Sequence, residues 1–185
     1  MTSLFRRYAV VFATLFATLA FIPAGTTAQE NPPPKLAELP CATNVSTQVL
    51  GMTPVNDGAQ NVVLARIILG PGGSVAEHTH PGTVVFTVES GSLGFTHLGD
   101  MEMTVTRAAT ADTEAIAEPL PFGEEVALNP GDTYVESGMI HTASNLADDG
   151  DTTVLMSGLM DAGQPLTICA DEATPASHAR LSAVR

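Results

Sequence analysis

Three of the five histidines in this chain stand where metal chemistry would need them. His78 and His80 lie two apart in the run Gly72-Gly73-Ser74-Val75-Ala76-Glu77-His78-Thr79-His80-Pro81-Gly82. In an extended strand, residues i and i+2 point to the same face, so the two imidazoles present themselves side by side. Neutral imidazole is a good ligand for zinc, iron, copper and nickel. A strand pair supplies two ligands, and a third must come from elsewhere in the fold. His141, closing the run Gly131-Asp132-Thr133-Tyr134-Val135-Glu136-Ser137-Gly138-Met139-Ile140-His141, is the candidate. The chemistry expected is the binding of one divalent transition-metal ion, whether Fe, Mn, Zn, Cu or Ni.

These two runs resemble the paired motifs of the cupin superfamily. The first motif is a glycine, a His-x-His pair, a glutamate and a second glycine. Gly72, His78, His80 and Gly91 fit it, and Val84 stands at the glutamate position. The second motif is matched by Pro130-Gly131-Asp132, Gly138, His141 and Asn145, with Glu136 in place of the usual proline. The resemblance covers about residues 62–159 and implies an all-β fold, the cupin double-stranded β-helix or jelly-roll barrel. It also implies metal ligands at His78, His80 and His141, with Asn145 supporting the site rather than binding the ion, and a possible homodimer.

The valine at position 84 leaves the carboxylate to be found elsewhere. Strand parity puts Val84, Phe86 and Val88 on one face and Glu89 on the other, while Glu77 points away from His78. Glu136 is the candidate fourth ligand or acid/base, with Tyr134 the other acid/base candidate nearby. Val84, Phe86, Val88 and Met139 are expected to line an apolar pocket suited to a small organic molecule. Three neutral ligands leave an ion its full charge, which favours Lewis-acid chemistry. Thiol-dioxygenase-like cupins similarly lack the glutamate. The expectation is a metal-dependent oxidoreductase, dioxygenase-like, acting on a small organic molecule. The alternative is a non-catalytic barrel that holds a small ligand or a metal. His97 and His178 carry no partner pattern and read as surface residues. Met101 and Met103 read as an apolar pair, with copper(I) binding as the alternative. Asn44-Val45-Ser46 is a glycosylation sequon, meaningful in a eukaryotic host.

The elements that must position these residues are short and β-branched. Strands are expected at 61–69, 83–89, 92–98, 101–107, 125–128, 133–136, 140–144 and 152–159. Gly70-Pro71-Gly72-Gly73 reads as a turn, and Gly99-Asp100 as a hairpin turn between the third and fourth strands. Residues 108–120 lack strand character and read as a surface excursion with a helical turn. Short strands at this spacing, without βα alternation, describe a sandwich or jelly roll.

The totals set the frame. A chain of 185 residues suits one domain, and 44% apolar content suffices for a packed core. Arg6 and Arg7 precede an apolar run over 8–22, and small residues end it at Ala28. That is the layout of a secretory signal over residues 1–28, cleaved after Ala28, and the run is too short for the ~20 residues of a membrane span. A Pro-rich arm at 29–43, a barrel domain at 44–170 and a flexible tail at 171–185 would follow. Losing two arginines and no acid moves the formal charge from −13 to −15. So acidic an exported chain repels phosphate backbones and anionic lipid, so neither nucleic acid nor membrane is an expected partner. Cys41 and Cys169, an even pair near the two ends, suggest a disulfide in an oxidising compartment.

Overall fold

The computed structural model describes residues 36–171, with side chains from Leu39 onward. The expected leader at 1–28, residues 29–35 of the arm, and the tail from 172, including His178, lie outside the described residues. The strands are β1 (Leu36–Glu38), β2 (Ala42–Val55), β3 (Gln60–Thr79), β4 (Gly82–Ser90), β5 (Leu93–His97) and β6 (Met103–Arg107). They continue with β7 (Ile116–Leu120), β8 (Glu125–Leu128), β9 (Thr133–Ser137), β10 (His141–Asn145), β11 (Thr152–Asp161) and β12 (Ile168–Cys169). One 3₁₀ turn, Asn56–Gly58, links β2 to β3. The class is all-β.

The named strands pair antiparallel in the order β7-β6-β9-β4-β11-β3-β10-β5-β8, with β2 and β12 along β3 and β1 on β2, and one isolated parallel bridge joins His97 to Phe122. This path curls into a nearly closed barrel, and β3 is the strand that makes it do so. Its first part pairs with β11 over Gln60–Leu69, and its last part with β10 around Ser74–His78. The expected turn at Gly70-Pro71-Gly72-Gly73 is therefore a bend inside one long strand. Gly72 sits at φ 68°, which only glycine takes without strain. At Gly73 a Cβ would stand 2.7 Å from the Gly70 carbonyl oxygen and 2.8 Å from that of Asn44.

Alternation fills the interior. Val63, Ala65, Ile67 and Leu69 of β3 meet Val84, Phe86 and Val88 of β4, Val154 and Met156 of β11, and Leu93 and Phe95 of β5. Apart from Ala65, each such side chain contributes about 1.5–3 kcal/mol when fully buried. Arg66 and Glu89 point outward and pair at 2.6 Å.

Two local expectations are corrected. Gly99-Asp100 does not close a hairpin: β5 pairs with β10 and β8, while β6 pairs with β7 and β9. The dipeptide specifies a tight turn but not the partner of the strand that leaves it. The second half of the 108–120 excursion is β7, not a helical turn. Its residues are exposed apart from Leu120, so no alternation marks it, and as an edge strand it tolerates Pro119.

Candidate metal centre

The bend in β3 carries its end into the barrel, where His78 and His80 are both 3% exposed. His141, 2% exposed, begins β10, and its Cα is the register partner of His78. One ring nitrogen from each of the three lies within 4.8 Å of the others, a grouping that could hold a metal ion. The three ring centroids are 4.1–5.3 Å apart.

The other ring nitrogens explain which atoms face inward. His78 Nδ1 bonds the Ala76 carbonyl at 2.7 Å, His80 Nδ1 that of Leu166 at 2.6 Å, and His141 Nδ1 that of Met139 at 3.2 Å. A carbonyl can only accept, so each Nδ1 carries the proton and each Nε2 keeps its lone pair. This is how metal-binding imidazoles are usually oriented. Burial reinforces it. Desolvation holds His78 at about 3 and His80 and His141 at about 4, so all three rings are neutral at pH 7.

A buried carboxylate sits one strand over from Val84. Val84 on β4 pairs directly with Glu136 on β9, and the next inward pair is Phe86 with Tyr134. Cross-strand partners share a face, so Glu136 enters the layer where a glutamate at position 84 would have stood. Its carboxylate is buried, with Oε1 3.8 Å from His80 Nε2 and Oε2 3.1 Å from His141 Nδ1. Neither oxygen has a hydrogen-bond partner, and His80 Nε2 also has none. Burial raises the carboxyl to about 7 against a smaller opposing pull from His80. Buried polar atoms rarely go unpartnered, and here the orphans converge. The three neutral imidazoles are the group that could hold a metal ion, with Glu136 beside them.

The remaining predicted residues are distributed as follows. Phe86 and Tyr134 line the cavity beside the histidines, with Leu39, Leu93, Ala143 and Thr167. Val84, Val88 and Met139 are buried in the core but are not among the residues lining that cavity, so the expected apolar wall is corrected to Phe86 and these others. Tyr134 is held between the rings of Phe86 and Phe95, at 4.9 and 4.6 Å, and burial raises its hydroxyl well above its usual range. Asn145 touches no ligand. Its amide donates to the carbonyls of Leu69, Gly70 and Gly150, and its oxygen accepts from Ala147 and Thr152. It ties β10 to the bend in β3. Met103 enters the core, whereas Met101 is exposed outside the strand.

His97 is not a surface residue. It is 3% exposed and in register with His141 across β5 and β10. Its inward parity with Leu93 and Phe95 was the available signal. Its Nδ1 accepts a long 3.4 Å bond from the Gly99 N–H, the opposite polarity to the three site histidines. Leu39, Leu166 and Thr167 had no signal in the sequence, because their role comes from a long-range return of the chain.

An antiparallel barrel with a His-x-His pair and a later histidine converging inside one end decides the architecture. The fold is cupin-like. Among solved structures, a cupin superfamily protein from Desulfitobacterium hafniense aligns at 17% identity over 72% of this chain and 94% of that one, with a TM-score of 0.42. A cupin-like protein from Thermotoga maritima aligns at 14% identity over 78% and 90%, with a TM-score of 0.39. A cupin-2 domain from Rhodospirillum rubrum aligns at 16% identity over 76% and 74%, with a TM-score of 0.36. No family model and no curated protein matches the chain.

Proposed function

We propose that this chain is an extracytoplasmic metal-binding cupin that holds one divalent transition-metal ion through His78, His80 and His141, with Glu136 as the fourth protein ligand. The observation that carries this reading is the common orientation of the three rings: every Nδ1 lies against a backbone carbonyl, and the three ligand nitrogens lie within 4.8 Å of one another. The ion would act as a Lewis acid or redox centre when bound. The chain's own contribution is to hold three neutral imidazoles in place and to exclude water.

The cavity at the histidines is about 30 Å³, room for one water-sized ligand. Sites for small organic molecules usually measure about 300–1,000 Å³. This volume favours the non-catalytic form of the reading, a metal-holding barrel, over a dioxygenase acting on an organic substrate. The catalytic form requires the barrel to open. Export is supported by the disulfide, which suits an oxidising compartment. Among the described residues, no helix is long and apolar enough to cross a membrane.

Elemental analysis of protein purified without chelator or affinity metal tests the proposal. About one transition-metal ion per chain is expected, lost in His78→Ala and His141→Ala. Folded wild type that carries no metal and takes up none would overturn it. Iron, copper or manganese together with substrate-dependent oxygen uptake would favour the oxidoreductase form.

A further inference from the structure

Two segments from opposite ends of the barrel domain meet over the histidines. The first, around Leu39–Cys41, runs into β2; the Cys41 carbonyl accepts from the Ala76 N–H at 2.9 Å. The second, Leu166–Ala170, returns after β11. Its Cys169 is the register partner of His78, and Ala170 N–H donates to the Glu77 carbonyl at 2.9 Å. The Cys41–Cys169 disulfide joins the two segments, with Cα atoms 5.8 Å apart. Both segments reach the site itself. Leu39 and Thr167, each two residues before a half-cystine, line the cavity, and the Leu166 carbonyl holds His80 Nδ1.

Each segment alone is held to β3 by few ladder contacts: β12 contributes two register pairs, and β2 near Cys41 contributes Ala42 with Val75 and Thr43 with Ser74. Attachments this short open readily as local units. The disulfide converts them into one closed strap. Thr167 is 1% exposed and His80 3%, so the site under the strap is closed to bulk solvent.

Resting on the metal-binding reading above, we infer that the Cys41–Cys169 strap is the gate of the site: it orients His80 through the Leu166 carbonyl and sets how fast the ion enters and leaves. A metal site needs an entry path, and at about 30 Å³ the closed cavity gives an ion little room to move. Leu39 is the apolar plug on the N-terminal half of the strap, and Thr167 covers the site from the C-terminal half. The consequence is kinetic: an oxidised, loaded chain exchanges its metal slowly, even where a chelator would win at equilibrium.

The experiment uses the full chain loaded with cobalt(II) and follows the cobalt absorption after addition of excess chelator. Wild type is compared with the Cys41→Ser/Cys169→Ser double variant and with Leu39→Ala, which keeps the disulfide and thins the plug. Loss of partners that orient ligands costs about 10–100-fold in metal affinity, so release at least about tenfold faster is expected in the double variant. Leu39→Ala should release faster than wild type without losing its cobalt spectrum. Should the double variant fail to fold by circular dichroism, Leu39→Ala decides. Equal release rates in wild type and the folded variants would overturn the gate while leaving the site intact. Failure of every form, wild type included, to bind cobalt would instead sink the metal-binding reading.

Discussion

Burial makes His78, His80 and His141 ligands rather than cations, and that has a consequence for the metal-free protein. Their folded values, about 3 and about 4, lie below the 6.5 of an unfolded histidine. The unfolded chain therefore binds more protons in between, and stability is fully present above about pH 6.5 and lost as pH falls toward 4. Glu136 works the other way. Its folded value of about 7 lies above the 4.5 of a free glutamate, so its contribution is present below 4.5 and lost as pH rises through 7. Three groups oppose one, and the histidines win. Melting temperatures measured in chelator should fall between about pH 6.5 and 4, each titrating histidine contributing on the order of 1 kcal/mol per pH unit. Glu136→Gln should remove the opposing loss between about pH 4.5 and 7, so that the acid limb becomes steeper. A flat profile over the acid window would mean that the histidines are hydrated and charged, contrary to the burial seen here.

At the scale of elements, the decisive feature is the bend that lets β3 serve both parts of the barrel, and Asn145 is its clamp. The two N–H donors of one side-chain amide are shared among three carbonyls, those of Leu69, Gly70 and Gly150, at 2.7–3.0 Å. Removing it leaves partly buried carbonyls without a donor, and each stranded group costs about 1–3 kcal/mol. Asn145→Ala should therefore lower stability by about 2–4 kcal/mol in denaturant titration. Because Asn145 touches none of the histidines, metal stoichiometry at low temperature should be unchanged. Loss of metal without loss of stability would place it in the site instead. The strands and the His-x-His geometry were legible in the sequence because alternation is local: His78 and His80 face inward together, and Glu89 faces outward with Arg66, although the alternation slips between Val75 and His78. What was not legible depends on register between distant strands. Glu136 faces the site because it pairs with Val84, yet nothing within residues 131–141 names that partner. The same holds for Gly70–Gly73, where a turn and a bend within a strand share one composition. Pairing of β5 with β10 rather than β6 is also a property of the closed sheet.

For the whole molecule, the barrel domain begins and ends at the same place. Ala42 pairs with Val75 and Cys169 with His78, so the first and last ladders lie along the end of β3 that carries the metal ligands. The disulfide there spans 128 residues. Chain-entropy arguments assign a loop of that length about 5 kcal/mol, acting by restricting the unfolded chain. Domains of this size are stable by only about 5–15 kcal/mol in total. The link would thus supply a third or more of the stability, separately from any effect on the metal. In chelator, the Cys41→Ser/Cys169→Ser variant should lose several kcal/mol in equilibrium unfolding. Its denaturant dependence should steepen, because an uncrosslinked chain exposes more surface when it unfolds. A loss under about 1 kcal/mol would mean that the bonds of Cys41, Leu166 and Ala170 to β3 and His80 close the barrel unaided. The disulfide would then matter for the exchange of the ion and not for the fold.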